Sequence, residues 1–173
     1  CDKESDVIYV WHEHRATDFK IAMHASAMKS RGGNIPWAWP HDGHTRDKGS
    51  GETIAAQYKK EGVAMLPMHS TWPDGGMSTE AAVLEIQNRE ETGRLKYFST
   101  CVNLLEERRW YHRKDGQIVK EKDDLLSALQ KCVMMKRFGR PFDKCGGLMA
   151  RRRNPNGSGG NMASGLMMDG IVY

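Results

Sequence analysis

Residues 35–62 read IPWAWPHDGHTRDKGSGETIAAQYKKEG, and the order of parts in this stretch decides the fold. Ile35 to Pro40 is wholly apolar, which predicts a short strand buried on both faces. Pro36 and Pro40 lack the N–H that a ladder requires, so the strand is expected to stay short. His41 to Gly51 is polar and contains glycine, which predicts a loop, and it feeds a helix expected over Glu52–Lys60. Val63 to Met68 is apolar again and reads as a second buried strand. Strands alternating with helices in this way predict α/β architecture, a central mixed sheet covered by helices, with IPWAWP and VAMLPM at its centre.

Reading outward, Val7 to His14 (VIYVWHEH) begins as a β-rich apolar run and predicts a strand. Asp2 to Asp6 supplies the turn of a hairpin whose other strand would precede Cys1, so the chain reads as a piece of a longer protein with its first strand absent. Thr17 is placed as the N-cap of a helix through Arg31, because Phe19, Ala22, Met23, Ser26 and Ala27 recur at helical spacing and Gly32-Gly33 stops the run. Trp72–Gly76 is expected as a loop. Ser78 is expected to cap a helix to about Glu91, with Ala82, Val83, Leu84 and Ile86 on its apolar side. A strand follows over Leu95–Phe98, then a helix capped by Ser99 or Thr100 and reaching Tyr111. Lys114-Asp115-Gly116 signals a hairpin between Trp110–His112 and Ile118–Val119. Asp123-Asp124 opens a last helix whose Leu125, Leu126, Ala128, Leu129, Cys132 and Val133 follow i, i+3, i+4, i+7, i+8 spacing.

The whole chain has 173 residues and 19.6 kDa, 39% hydrophobic and 28% charged, with a mean hydropathy of −0.67. That fits one compact, polar domain with a real core. No apolar run approaches the ~18–20 residues of a membrane span, and no charged-then-apolar leader opens the sequence, so no membrane partner is expected. Cys1, Cys101, Cys132 and Cys145 lack CxxC spacing, which favours reduced thiols over disulfides or a zinc knuckle. The net charge of +4 is concentrated: Lys136 to Arg153 holds seven basic residues and one acidic. The segment suits contact with a polyanion or, equally, a solvated basic tail. The domain is therefore expected over residues 1–140, with a basic, Gly-rich, mobile tail over 141–173 that carries Arg151, Arg152 and Arg153.

Among residues able to carry chemistry, Asp42 comes first because it directly follows a buried strand. Ligands and catalytic groups gather at the carboxyl ends of strands in open α/β sheets. The alternative is that Asp42 only makes an Asx-turn before Gly43. Asp123 and Asp124 are a second acidic group, for which helix capping is the plain alternative. His41 and His44 flank Asp42, but no third ligand at characteristic spacing and no HExxH accompanies them, so zinc is not expected there. GHTRDKGS is out of register for a P-loop, no serine sits in GxSxG, and Trp37, Trp39, Met65, Met68, Met134 and Met135 read as core.

Two stretches now bear a resemblance. Tyr111 to Met135 (YHRKDGQIVKEKDDLLSALQKCVMM) resembles the last motif of the nuclease domain of tailed-phage terminase large subunits, a basic-tipped hairpin leading into a helix that begins with an Asp pair. Pro36 to Gly62 is similar to that family's middle motif, a strand ending in a catalytic Asp and a Gly/Ser-rich loop entering a helix. The resemblance covers about residues 7–140, closest to headful-packaging phages. It implies an RNase H-like endonuclease that cuts concatemeric double-stranded DNA during genome packaging. It further implies Asp42 as the middle metal ligand, Asp123 or Asp124 as the last, and two Mg²⁺ or Mn²⁺ ions. The family's first catalytic Asp would lie upstream of Cys1. His44, Arg46, Lys48, Arg113, Lys114, Lys120 and Lys122 would contact DNA phosphates, and Arg151–Arg153 would meet a protein partner. Portal protein and the small terminase subunit are the implied partners, in the host cytoplasm. The rival readings are another RNase H-like nuclease, of transposase or resolvase type, and a portal-docking module.

Overall fold

The computed structural model describes residues 5–119 and 121–139. Ile8, Tyr9 and Val10 are β-branched or aromatic and form β1 (Ile8–Val10), which pairs in parallel with β2 (Leu95–Tyr97) in the register Ile8↔Leu95, Tyr9↔Lys96, Val10↔Tyr97. Period-two alternation sends Ile8 and Val10 into the core and leaves Tyr9 half-buried. The strand expected through His14 stops at Val10. Beyond it Glu13 is taken up by the start of a distant helix, a contact that the local pattern does not contain.

Helix α1 (Ile21–Lys29) starts later than its pattern predicts, and Thr17 does not cap it. Asp18 stands in the left-handed region at φ 60°, which breaks the chain between Thr17 and the helix. Helix α2 (Ile54–Lys60) is capped by Thr53, whose hydroxyl accepts the Ala56 N–H at 3.2 Å. Ser78 does the same for α3 (Thr79–Glu91) through the Ala81 N–H. Ala82, Val83 and Ile86 face the core as expected, whereas Leu84 faces solvent. Helix α4 (Val102–Trp110) follows Cys101, and neither Ser99 nor Thr100 caps it. A tight hairpin joins β3 (Arg113–Lys114) to β4 (Gln117–Ile118), and Asp115 and Gly116 both take positive φ, as its two-residue turn requires. The first hairpin strand begins at Arg113 because Trp110 completes α4. Helix α5 (Asp124–Met134) begins where the Asp pair predicts.

The two apolar strands expected at the centre, 35–40 and 63–68, meet through one parallel bridge, Trp37↔Met65. Trp37 N–H donates to the Ala64 carbonyl and Leu66 N–H to the Trp37 carbonyl, both at 2.9 Å. Pro36, Pro40 and Pro67 have no N–H to lengthen the ladder. The burial prediction holds: Ile35, Trp37, Ala38, Trp39, Val63 and Leu66 are all core. Helices α1 and α2 cover Ile35 and Trp37. Helix α5 packs on α3 and α4 and seals β1 and β2 with Leu125, Leu126, Leu129 and Val133. Ala128 and Met134 of α5, with Met135 just after it, reach the bridge region and pack with Ala38 and Trp39. The helix thus ties the two halves of the core together. Lys120 and the tail from residue 140 onward, with Arg151–Arg153, lie outside the described residues.

Candidate active site

Asp42 is held by its neighbours. Just past Pro40, residues His41–His44 wind into a 3-10 turn on the ring of Trp39, which is 4% exposed and donates its Nε1–H to the Leu66 carbonyl at 2.8 Å. Gly43 lies flat on that ring: a Cβ there would stand 2.4 Å from Trp39 Cε3. The turn closes through Gly43 N–H to the Pro40 carbonyl at 3.0 Å and Thr45 N–H to the Asp42 carbonyl at 2.8 Å. The Asp42 carboxylate makes no Asx-turn bond to the backbone that follows it, and the residue is exposed.

The loop after it is self-bonded. Arg46 and Thr53 form an antiparallel bridge, Arg46 Nη1 donates to the Gly51 carbonyl at 2.9 Å, and the Asp47 carboxylate accepts the Ser50 N–H at 2.8 Å. Those bonds to Ser50 hold the Asp47 carboxyl below its ordinary range. His44 Nε2 lies 3.1 Å from His69 Nδ1, and His41 joins them with ring centroids 5.0 Å from His69 and 5.5 Å from His44. Burial, then the neighbouring imidazoles of His41 and His44, lower the His69 pKa. Sequence reasoning missed His69, although it follows the second apolar strand as Asp42 follows the first.

At the start of α5 the plain alternative for the acidic pair is a capping role, and neither Asp side chain fills it. Glu107 of α4 does: its Oε2 accepts the Leu125 N–H at 2.8 Å and the Leu126 N–H at 3.1 Å. Glu107 is 4% exposed, and its burial raises its pKa against the pull of those two N–H groups and of Arg15. Arg15 spans two carboxylates, with Nη1 3.5 Å from Glu107 Oε1 and Nη2 3.4 Å from Asp124 Oδ2. Asp123 Oδ2 accepts the Ser127 hydroxyl at 3.3 Å and is half-buried, while Asp124 is exposed. Glu13 plays the same part for α4, accepting the Asn103 N–H at 3.0 Å and the Leu104 N–H at 2.8 Å. Glu107 has a sequence signal, since it falls three residues after Leu104 and four before Tyr111, on a stripe of otherwise apolar residues.

Of the remaining candidates, Lys48, Lys114 and Lys122 are exposed, and Lys122 has φ 52° just before the Asp pair. Arg113 forms a bidentate pair with Glu80, Nη1–Oε1 2.9 Å and Nη2–Oε2 2.5 Å, which orients the hairpin against α3. Asp42 and the Asp pair sit on separate elements, and no hydrogen bond joins them. Their donors are hard carboxylate oxygens, the kind that suits Mg²⁺ or Mn²⁺. Among the described residues, no group of three or more His, Cys, Asp or Glu side chains converges to hold an ion. The carboxylates present thus fit such ions in chemistry while not completing a site by themselves.

No helix among the described residues is long and apolar enough to cross a membrane. A family model described as the terminase RNaseH-like domain matches residues 1–136. The chain is 44% identical over 140 residues to a terminase large subunit of Salmonella phage P22, covering 80% of this chain and 28% of that protein. It is 43% identical over 136 residues to the terminase large subunit of Enterobacteria phage LP7, covering 78% of this chain and 29% of that one. The chain therefore spans less than a third of the length of these curated relatives. Among solved structures, the nuclease domain of the P22 large terminase superposes with a TM-score of 0.72 at 40% identity, covering 88% of this chain and 76% of the other. Family model, relatives and solved structure agree, and the chain belongs to the terminase RNase H-like nuclease domain family.

Proposed function

We propose that this chain is the nuclease portion of a terminase large subunit, a metal-dependent endonuclease that cuts concatemeric double-stranded DNA as genomes are packaged. The observation that carries the reading is the match to a solved terminase nuclease domain at 40% identity over 88% of the chain. The local geometry supports it: Asp42 on a turn that seats on Trp39 through Gly43, and an Asp pair whose helix is capped by another residue.

Asp42 and Asp123 or Asp124 would hold Mg²⁺ or Mn²⁺, with further carboxylate from outside the described residues. Two such ions, when bound, supply Lewis-acid stabilisation of the charge that builds on the attacked phosphate. The protein's part is positioning. Exposed Lys48, Lys114 and Lys122, with His44, Arg46, Arg113 and Lys120, would hold the phosphate backbone without reading bases, which suits a cutter of little sequence preference. Arg151–Arg153 would serve docking to portal protein or the small terminase subunit, in the host cytoplasm.

The test is nicking of supercoiled plasmid by the complete protein with Mg²⁺ or Mn²⁺. Cleavage is expected with either ion, absent with chelator, and abolished by Asp42→Ala at unchanged melting temperature. Full cleavage by Asp42→Ala, or cleavage confined to branched junctions, overturns the reading.

A further inference from the structure

We infer that Glu107 is a positioning residue for the acidic pair of α5, a role that rests on the nuclease reading above. A helix beginning Asp123-Asp124 ordinarily spends one of those carboxylates on its own first-turn N–H groups. Here a carboxylate from a different helix takes that place. Glu107 Oε2 receives the N–H groups of Leu125 and Leu126 at 2.8 and 3.1 Å, and neither Asp side chain accepts a backbone N–H of that first turn, Asp123 Oδ2 taking the Ser127 hydroxyl instead. The consequence is geometric: the first turn of α5 is anchored to α4, and both Asp side chains are relieved of capping it, Asp123 bonding the Ser127 hydroxyl and Asp124 facing Arg15.

The second Glu107 oxygen makes the coupling specific. Oε1 is buried and accepts no hydrogen bond among the described residues; what it faces is Arg15, whose other arm reaches Asp124. Arg15 therefore divides its attraction between Glu107 and Asp124. Removing the Glu107 charge gives the guanidinium wholly to Asp124 and ties up an oxygen that a divalent cation would otherwise take. Glu13 anchors the opposite end of the arrangement, receiving the Asn103 and Leu104 N–H groups at the start of α4, so the placement of α5 is referred back to the segment that follows β1.

Glu107→Gln tests this in the complete protein, because the amide keeps an acceptor oxygen and nearly the same shape while losing the charge. Three quantities are read: Mn²⁺ affinity by calorimetry, the Mn²⁺ dependence of plasmid nicking, and hydrogen exchange at the Leu125 and Leu126 amides without metal. Expected are a roughly tenfold weaker Mn²⁺ affinity, the same shift in half-saturation for nicking, faster exchange at both amides, and an unchanged KM for DNA. A purely structural Glu107 would lower the melting temperature and leave metal affinity alone. Mn²⁺ affinity within twofold of wild type, with exchange at Leu125 and Leu126 unchanged, overturns the inference. Asp42→Ala run alongside separates the two readings: if it abolishes nicking while Glu107→Gln changes nothing, only the positioning role fails; if it nicks normally, the nuclease site itself is wrong.

Discussion

Replacing Gly43 by alanine tests whether the placement of Asp42 depends on close packing against Trp39. The added Cβ would stand 2.4 Å from Trp39 Cε3 and 2.9 Å from Cζ3, inside any real carbon contact. The indole has little room to yield, since it is buried, bonded to the Leu66 carbonyl at 2.8 Å, and packed in a core cluster with Ala55, Ala82 and Met135. The strain therefore falls on the 3-10 turn that carries Asp42. Overpacking of this kind costs about 1–3 kcal/mol. At roughly 4 °C per kcal/mol for a domain of this size, the melting temperature should drop by ~4–12 °C. A displacement of Asp42 by ~1 Å should cut cleavage by about 100-fold. Scanning calorimetry and plasmid nicking, both below the mutant's melting temperature, read the two effects. A Gly43→Ala protein that melts within 1 °C of wild type and cuts at the wild-type rate refutes the contact as the source of Asp42's position.

Two stability predictions come from the same framework. Ser78→Ala removes the hydroxyl that accepts the Ala81 N–H at 3.2 Å, and should cost about 1 kcal/mol in urea unfolding; no loss would mean that the α3 cap contributes nothing. His24 is 4% exposed beside His14, and burial lowers its pKa, as it does those of His14 and His12, with Arg31 near those two. A base with a lowered folded pKa binds its proton better when unfolded, so stability should fall as the pH drops below about 6.5. His24 contributes at most ~1.4 kcal/mol per pH unit there, and His24→Gln should flatten the slope between pH 7 and 5. An unchanged slope would place the acid sensitivity elsewhere.

The positions of Asp42 and the Asp pair were legible for local reasons. An apolar run broken by His-Asp-Gly, and two adjacent acids before an i, i+3, i+4 stripe, are patterns within one element. The roles of their neighbours were not legible in that way. Thr17 looks like a cap, but the left-handed Asp18 disqualifies it; Ser99 and Thr100 look like caps, but Glu13 does that work from about ninety residues away. Arg113 reads as a DNA contact, and the structure adds a pairing with Glu80 that the sequence does not record. His69 was passed over because the clustering of His41, His44 and His69 depends on the parallel bridge between Trp37 and Met65.

By itself the sequence determined the α/β class, the buried apolar segments on either side of α2, and the start of α5 at the Asp pair, because burial and helix periodicity are written in neighbouring residues. Only the tertiary structure decided which groups satisfy which backbone ends and which charges meet. Capping of α4 and α5 by Glu13 and Glu107, the division of Arg15 between Glu107 and Asp124, and the seating of Gly43 on Trp39 are all distances set by packing. A carboxylate caps whichever N–H the fold brings within ~3 Å, and sequence spacing does not record that distance.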